Sequence, residues 1–331
     1  MKKAPFVFDI HGHAPGLLPT EGPLRSAVAP QDTGIERLKS YGVDACVLSA
    51  VGDPATFGVG TKNDYGMVEY QLDRLHSLVK AADGTIVGSQ ADILQGDFRV
   101  LASKERIPIQ VVLGVEGLDF LDGSLEIIDK LYESGVRLIG PVHYTANAIG
   151  GICMDLRGDP NGAGTKGGLT AFGKSVVDAA NSLRMILDMT HANDATILDA
   201  IECSNQPIVC SHTGPRALCD TPRYLPDPVL KAIAGSGGLI GLWPERMGNS
   251  GPANLDEFTR MISYVVDLCG IGSLAIGTDF NGVPGYCNGY RGPIDIGKIE
   301  VALAAAGLPP AYRSAIMGGN AQRFVATGLK A

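Results

Sequence analysis

Short apolar runs alternate along the chain with amphipathic stretches of helical length. Eight of the runs have the length and composition of main strands, at residues 6–9, 45–50, 109–115, 137–143, 185–189, 207–211, 239–243 and 273–278. Helical stretches lie between them, among others at residues 67–82, 124–134, 170–183, 194–203, 227–234 and 255–269. Strands that alternate with helices predict a parallel sheet covered by helices. Eight such units predict a (β/α)8 (TIM) barrel of the α/β class.

Further segments complete this pattern. A strand-like piece at residues 85–89 leads into residues 91–106, which we interpret as an elaboration before the third main strand. Gly/Pro-rich segments at residues 150–168 and 282–293 predict long loops, and loops of this length in a compact domain tend to be functional. After Pro310 we expect a terminal helical segment that packs on the barrel. Because strands continue at the same rhythm on both sides of the loops, we expect a single domain over residues 1–331.

Composition narrows the class of protein. Apolar residues make up 45% and charged residues 19% of the chain, which is typical of a folded protein with a sizeable core. The formal net charge of −8 is spread without basic blocks, which argues against nucleic-acid binding. The first apolar run is too short for a signal-peptide core or a membrane span, so we expect a cytoplasmic protein with no membrane partner. Seven scattered cysteines without a CxxC pair predict reduced thiols.

The positions of the histidines in the sequence are the main evidence for its function. Five of the six histidines stand at or just past the C-terminal end of a predicted strand, and these are His11, His13, His143, His191 and His212. His76 is the exception, because it lies inside a helical stretch, where we expect a surface position. Active sites of (β/α)8 barrels lie at the C-terminal ends of the strands. Since neutral imidazole is the commonest protein ligand of zinc and similar ions, five convergent histidines predict a metal centre.

Two acidic residues share this placement. Glu116 follows the third main strand and Asp279 follows the eighth. Beside the histidines, Glu116 can bridge two cations and Asp279 can take a proton from bound water. Two divalent cations lower the pKa of a shared water towards neutrality, which supplies a bridging hydroxide next to a polarised carbonyl. A nearby carboxylate can then pass the proton to the leaving amine, so the set of residues predicts a metal-dependent hydrolase.

The motifs around these residues resemble the amidohydrolase superfamily and, more narrowly, the membrane dipeptidase (renal dipeptidase) family, peptidase family M19. The resemblance covers nearly the whole chain. The motifs that carry it are residues 114–117 (GVEG), 135–137 (GVR) leading to His143, 168–173 (GLTAFG), 187–191 (LDMTH), 211–212 (SH) followed by Arg223, 277–283 (GTDFNGV) and 318–320 (GGN). The resemblance implies a binuclear dipeptidase with two divalent metal ions, expected to be zinc, and often a homodimer.

The resemblance also implies a role for each site residue. It implies metal ligation by His11 and His13 for the first metal, Glu116 as the bridge, and His191 and His212 for the second. His143 would contact the substrate and steady the tetrahedral oxyanion. Arg223 would receive the terminal carboxylate of a dipeptide, and Asp279 would be the catalytic acid and base.

The chain departs from the family pattern at two places. The dipeptidases carry Asp at the position of His13, which gives HxH here in place of HxD. Histidine still ligates, but neutral imidazole in place of a carboxylate leaves the centre one unit more positive, which bears on metal choice and on acceptance of a protonated substrate amine. The second departure is at residues 241–246 (GLWPER), where substrate side chains would pack.

Three hypotheses about function stay open at this point. The leading one is hydrolysis of a dipeptide, or of a related small amide with a free carboxylate, including substrates with a C-terminal D-residue. The second keeps the metal chemistry but acts on an N-acyl amino acid, a lactone or a cyclic amide. The third is a non-catalytic metal-binding or partner-binding barrel, against which Asp279 argues because such a module needs no proton shuttle. The sequence has no GxGxxG motif that follows a strand into a helix, which argues against a Rossmann protein.

Overall fold

A computed structural model describes residues 5–17, 33–57, 64–93, 108–156, 164–246 and 248–330. Its strands are β1 (Phe8–Asp9), β2 (Ala45–Val51), β3 (Thr85–Ile86), β4 (Gln110–Glu116), β5 (Val136–Gly140), β6 (Ile186–Leu187), β7 (Val209–Thr213), β8 (Leu239–Leu242) and β9 (Leu274–Ile276). Its helices are α1 (Ile35–Ser40), α2 (Pro54–Phe57), α3 (Tyr65–Ala81), α4 (Glu126–Glu133), α5 (Ala171–Leu183), α6 (Asp194–Cys203), α7 (Asp227–Gly235), α8 (Leu255–Cys269), α9 (Ile296–Ala305), α10 (Pro310–Ser314) and α11 (Asn320–Gly328).

Eight parallel strands form a barrel. Their hydrogen-bonded order is β6-β5-β4-β2-β1-β9-β8-β7, and a parallel bridge between Asp188 and Val209 joins the two ends. β3 lies outside this ring and pairs with β4. This arrangement confirms the predicted (β/α)8 barrel, with all eight main strands where the apolar runs placed them.

The helices between the strands begin and pack as the sequence dictates. α5, α6 and α8 each start at a side-chain cap, in which Thr170, Asn193 or Asn254 accepts a hydrogen bond from a backbone N–H in the first turn. On α8 the buried residues Phe258, Ile262 and Val265 recur at a spacing of three to four, so a single apolar face packs on the sheet.

The core has two layers because the strands are buried on both faces. The outer layer lies between the sheet and the helices. The inner layer fills the barrel and continues onto α11, and its members include Phe8, Ala45, Val112, Ile186, Leu239, Ala321 and Val325. Several of these residues stand at the beginnings of strands, so the terminal helical segment packs on the N-terminal end of the barrel. The C-terminal end is left for the site.

Some predicted elements are shorter than expected, and some fall partly outside the description. The predicted strand at 85–89 is only Thr85–Ile86, and β1 and β6 have two residues each. Most of the elaboration predicted at 91–106 lies outside the described residues, as do residues 157–163 of the first long loop. All seven cysteines are free. Among the described helices, none has both the length and the apolar character required to cross a bilayer.

Candidate metal centre

Seven side chains meet at the C-terminal end of the barrel and are buried there. The residues of this candidate metal centre are His11 and His13 after β1, Glu116 at the end of β4, His143 after β5, His191 after β6, His212 in β7 and Asp279 after β9. The structure therefore brings together every metal-ligating and acid/base residue that the sequence placed at strand ends. Gly12 lets the first strand pass close to β9, because a Cβ atom there would collide with the ring of Phe280.

Glu116 occupies the middle of the centre. Its Oε2 atom lies 3.6 Å from His11 Nε2 and 3.7 Å from His13 Nε2. Its Oε1 atom lies 2.8 Å from His191 Nε2 and 3.6 Å from His212 Nε2. One carboxylate thus faces two pairs of imidazoles through its two different oxygens, which is the arrangement that a bridging ligand requires.

Asp279 lies on the side of His11 and His13. Its Oδ1 atom is 3.3 Å from His13 Nε2 and 3.9 Å from His11 Nε2, and the ligand atoms of these three residues lie within 4.8 Å of one another. Asp279 can therefore contact a cation as well as exchange a proton, whereas the sequence suggested only the second role. His143 Nε2 lies 3.6 Å from Glu116 Oε2, and the ligand atoms of His143, Glu116 and His191 lie within 4.8 Å of one another.

The donor set fits metal ions. His11 Nε2 and Asp279 Oδ1 are buried and form no hydrogen bond with any residue that the structure describes. Unpaired polar atoms in the interior are costly, so their convergence with three further imidazoles is a reason to expect cations among them. His191 and Asp279 also have backbone φ angles of 71° and 51°. Left-handed backbone at non-glycine residues costs about 1–3 kcal/mol and is found preferentially at functional sites.

The electrostatics of the centre favour a positive charge beside Glu116. Burial alone would raise the pKa of Glu116, but the imidazoles of His143, His11 and His191 hold it well below its usual value. Burial alone would lower the pKa of His11, but the Glu116 carboxylate outweighs it and, with Asp279, raises that pKa to about 9. A proton and a cation would therefore compete for the same position next to His11.

The second pair of imidazoles behaves differently. Burial, reinforced by the nearby Arg223 and His143, holds the pKa of His191 well below its usual value. Burial and the neighbouring His11 do the same for the pKa of His212. Both rings are thus neutral near pH 7, which is the form that ligates metals.

Asp53 is a site residue that the sequence analysis missed. Its Oδ2 atom accepts hydrogen bonds from His143 Nδ1 at 2.7 Å and from the backbone N–H of Tyr144 at 2.8 Å, and its Oδ1 atom accepts one from Thr145 Oγ1 at 2.5 Å. These bonds fix the ring of His143, with Nε2 directed at the centre. Asp53 stands two residues past β2. A search for every acidic residue at the end of a predicted strand would therefore have found it.

Other imidazoles are also held through their second nitrogen. His13 Nδ1 lies 2.9 Å from the carbonyl oxygen of Ser49. His11 Nδ1 and His212 Nδ1 lie 3.1 Å and 2.9 Å from the hydroxyl oxygen of Ser211. Such partners orient the ring and select the tautomer that ligates through Nε2. In the sequence, Ser211 stands out only as part of the motif at residues 211–212, which indicates no role for it.

Arg223 forms a buried cationic site next to the centre. Its guanidinium carbon lies 4.8 Å from the centre of the Trp243 ring and 5.6 Å from that of Tyr144. Its Nε and Nη2 atoms are buried without a hydrogen bond to the described residues. Trp243 stacks on His212 with ring centres 5.1 Å apart. A buried guanidinium beside the metal ligands, with donors that the described residues leave free, can bind the carboxylate of a substrate.

Glu245 and His76 lie outside the centre. Glu245 accepts a hydrogen bond from Trp243 Nε1 at 3.0 Å, and burial raises its pKa to about 8. His76 lies on α3, half-buried, with its Nε2 atom 2.9 Å from the carbonyl oxygen of Ser134. His76 is therefore separate from the centre, as its helical setting indicated.

Comparison with known proteins supplies an independent result. The sequence model of the membrane dipeptidase family, peptidase family M19, matches residues 1–328. Dipeptidase aclJ of Aspergillus oryzae is 28% identical over 234 residues, which is 69% of this chain and 52% of that protein. An uncharacterized protein in the pqqA 5' region of Klebsiella pneumoniae is 32% identical over 185 residues, which is 53% of this chain and 66% of that protein. The chain spans about half to two thirds of the length of these curated relatives.

Solved structures share the fold. The crystal structure of a metallopeptidase from Rhodobacter sphaeroides, liganded with a phosphinate mimic of the dipeptide L-Ala-D-Ala, has a TM-score of 0.79 at 21% identity and covers 98% of this chain and 99% of its own. The crystal structure of dipeptidase AC, a metallopeptidase of family M19, has a TM-score of 0.81 at 21% identity, with 99% and 100% covered.

Proposed function

The chain belongs to the membrane dipeptidase family, peptidase family M19, and from this premise we propose that it hydrolyses dipeptides at a centre of two divalent cations. The observation that supports the proposal is the position of Glu116, whose Oε2 atom faces His11 and His13 and whose Oε1 atom faces His191 and His212. His11 and His13 would hold one cation, and His191 and His212 would hold the other. A ligand set of imidazoles and carboxylates suits zinc.

Two such cations, when bound, act as Lewis acids that polarise the scissile carbonyl and lower the pKa of a shared water towards neutrality. The residues of the chain supply the rest. Asp279, at the edge of the His11 and His13 pair, accepts the proton of the attacking water and returns it to the leaving amine. Burial alone would lower the pKa of His143, but Glu116 and Asp53 raise it. In its protonated form His143 donates Nδ1–H to Asp53, directs Nε2–H at the centre and stabilises the negative charge that develops on the carbonyl oxygen.

Arg223 defines the class of substrate. In our proposal its buried Nε and Nη2 donors, which form no hydrogen bond with the described residues, bind the terminal carboxylate of the substrate and so place the peptide bond beside Glu116. The phosphinate bound to the Rhodobacter sphaeroides metallopeptidase mimics L-Ala-D-Ala, which supports a dipeptide as the substrate and the acceptance of a D-residue at its C-terminal position.

An N-acyl amino acid is the second candidate substrate. It retains the carboxylate that Arg223 binds but lacks the ammonium group of a dipeptide. The chain has His13 where the dipeptidases have Asp, and the raised pKa of Glu245 keeps that carboxyl neutral near pH 7. His13 and a neutral Glu245 leave fewer negative charges for an ammonium group than an aspartate and an ionised glutamate would, which favours a neutral acyl amide.

A panel of substrates tests the proposal. Metal-free protein is reconstituted with zinc and assayed against L,L and L,D dipeptides, their N-acetyl counterparts and lactones, with His76→Ala as the matched control for His191→Ala. We expect hydrolysis of carboxylate-bearing amides by wild type and His76→Ala and its loss in His191→Ala. Hydrolysis confined to lactones, or none on the whole panel, would overturn the proposal. The homodimer and the cytoplasmic location stay predictions.

A further inference from the structure

One hydroxyl group touches a ligand from each of the two imidazole pairs. Ser211 lies on β7, is completely buried, and has its Oγ atom 3.1 Å from His11 Nδ1 and 2.9 Å from His212 Nδ1. The opposite nitrogens of the two rings face different oxygens of Glu116, since His11 Nε2 is 3.6 Å from Oε2 and His212 Nε2 is 3.6 Å from Oε1. Ser211 thus lies behind both proposed metal positions.

The direction of the hydrogen bonds around Ser211 follows from its neighbours. Thr190 Oγ1 donates to Asp188 Oδ1 at 2.6 Å. Because Thr190 has a single hydroxyl proton, its oxygen is then left as an acceptor. That oxygen accepts the backbone N–H of Ser211 at 2.7 Å and lies 3.3 Å from Ser211 Oγ. Thr190 Oγ1 can therefore accept the hydroxyl proton of Ser211.

A serine whose proton is used in this way can only accept from the two imidazoles. Both rings then carry hydrogen on Nδ1, and neither can receive a proton from Ser211. In the neutral form of each ring this leaves a lone pair on Nε2, on the side of Glu116. If Ser211 donated to one ring instead, that neutral ring would hold its hydrogen on Nε2 and could not ligate through that atom.

We propose that Ser211 is a positioning residue that sets the ligating tautomer of His11 and His212 together, through the ordered chain Ser211, Thr190 and Asp188. The inference rests on the proposed function, because it assumes that these rings hold cations. If the inference is right, loss of one hydroxyl weakens metal binding at both positions, whereas loss of a single imidazole first weakens binding at its own position. Loss of such a partner typically weakens metal binding by about 10-fold to 100-fold.

The test uses two matched pairs of variants. Ser211→Ala removes the shared hydroxyl, and its control Thr196→Val removes a buried hydroxyl on α6 that forms no hydrogen bond with the described residues. Thr190→Val removes the acceptor of the Ser211 proton at nearly constant volume, and Thr190→Ser restores a hydroxyl at that position. If Ser211→Ala does not fold, the two Thr190 variants test the inference without it.

Two measurements are made on each variant. Zinc titration gives the affinity of both positions, and nitrogen NMR of histidine-labelled, metal-free protein gives the tautomer of His212. We expect Ser211→Ala and Thr190→Val to lose about 10-fold to 100-fold in affinity at both positions, with His212 no longer confined to the Nδ1–H form. Thr196→Val and Thr190→Ser should match wild type.

The outcomes separate the inference from the proposed function. Wild-type affinity and tautomer in both Ser211→Ala and Thr190→Val would overturn the inference and leave the metal centre intact. A wild-type protein that binds no zinc would overturn the proposed function. The inference about hydrogen-bond direction would then still be decided by the His212 tautomer in the metal-free protein.

Discussion

Arg223→Met removes the charge that we assign to the substrate carboxylate and keeps a long side chain against Trp243. In the wild type this guanidinium is buried, and two of its nitrogens have no partner among the described residues. A substrate carboxylate would complete a desolvated, charge-assisted pair there. Truncation of one partner of such a pair costs about 2–5 kcal/mol.

That cost corresponds to a loss of roughly 30-fold to 5,000-fold in kcat/KM, since 1.4 kcal/mol is one decade. The loss should depend on the substrate. A dipeptide should show all of it, whereas the same dipeptide with a C-terminal amide has no carboxylate to lose and should show little. Arg223→Lys keeps the charge without the planar fork, so its loss should be intermediate.

The assay compares two substrates, each with two enzymes. We would measure kcat/KM for L-Ala-D-Ala and for its C-terminal amide with wild type and Arg223→Met at equal metal content. Arg184→Met, which removes a partly buried guanidinium at the C-terminal end of α5, is the control. An equal loss on both substrates would refute the assignment, because the arginine would then support the site without binding the carboxylate.

Further predictions concern the proton shuttle, the charge of the centre and its pH dependence. Asp279→Asn should retain both metals and lose at least about 100-fold in kcat; near wild-type turnover would contradict the acid/base role. His13→Asp should raise the ratio of kcat/KM for a dipeptide to that for its N-acetyl counterpart, since one unit charge at about 4 Å is worth up to about 4 kcal/mol before screening; an unchanged ratio would make position 13 only a ligand. Because burial raises the pKa of Glu245 from 4.5 to about 8, the folded state holds this proton more tightly than the unfolded state. The stability that this confers is complete below pH 4.5 and is lost as the pH rises to about 8. Relative to Glu245→Gln, the wild-type free energy of unfolding should therefore fall across that window, and parallel pH profiles would contradict the burial argument.

The barrel was predictable because its strands are buried on both faces. A run such as residues 109–115 does not alternate between an apolar and a polar face. Similar apolar runs recur at regular intervals along the chain. The ends of the strands were less predictable. The backbone leaves regular pairing where His191 and Asp279 adopt left-handed angles, and a pattern of apolar residues carries no signal for such a bend.

The candidate centre was predictable for a topological reason. In a parallel barrel the C-terminal end of every strand reaches the same face, so residue type and position relative to a strand suffice to group His11, Glu116 and His212. The partners of these residues could not be found in this way. Ser211 contacts His11 across 200 positions of sequence, and no spacing rule pairs a hydroxyl on β7 with a ring after β1.

Metal content and dipeptide hydrolysis, measured together on the same protein before and after chelation and zinc reconstitution, test the central claim most directly. We predict up to two zinc ions per chain, hydrolysis that disappears and returns with them, and lower occupancy in His191→Ala and His212→Ala. Only trace metal after reconstitution, or equal hydrolysis by the metal-free protein, would contradict the account.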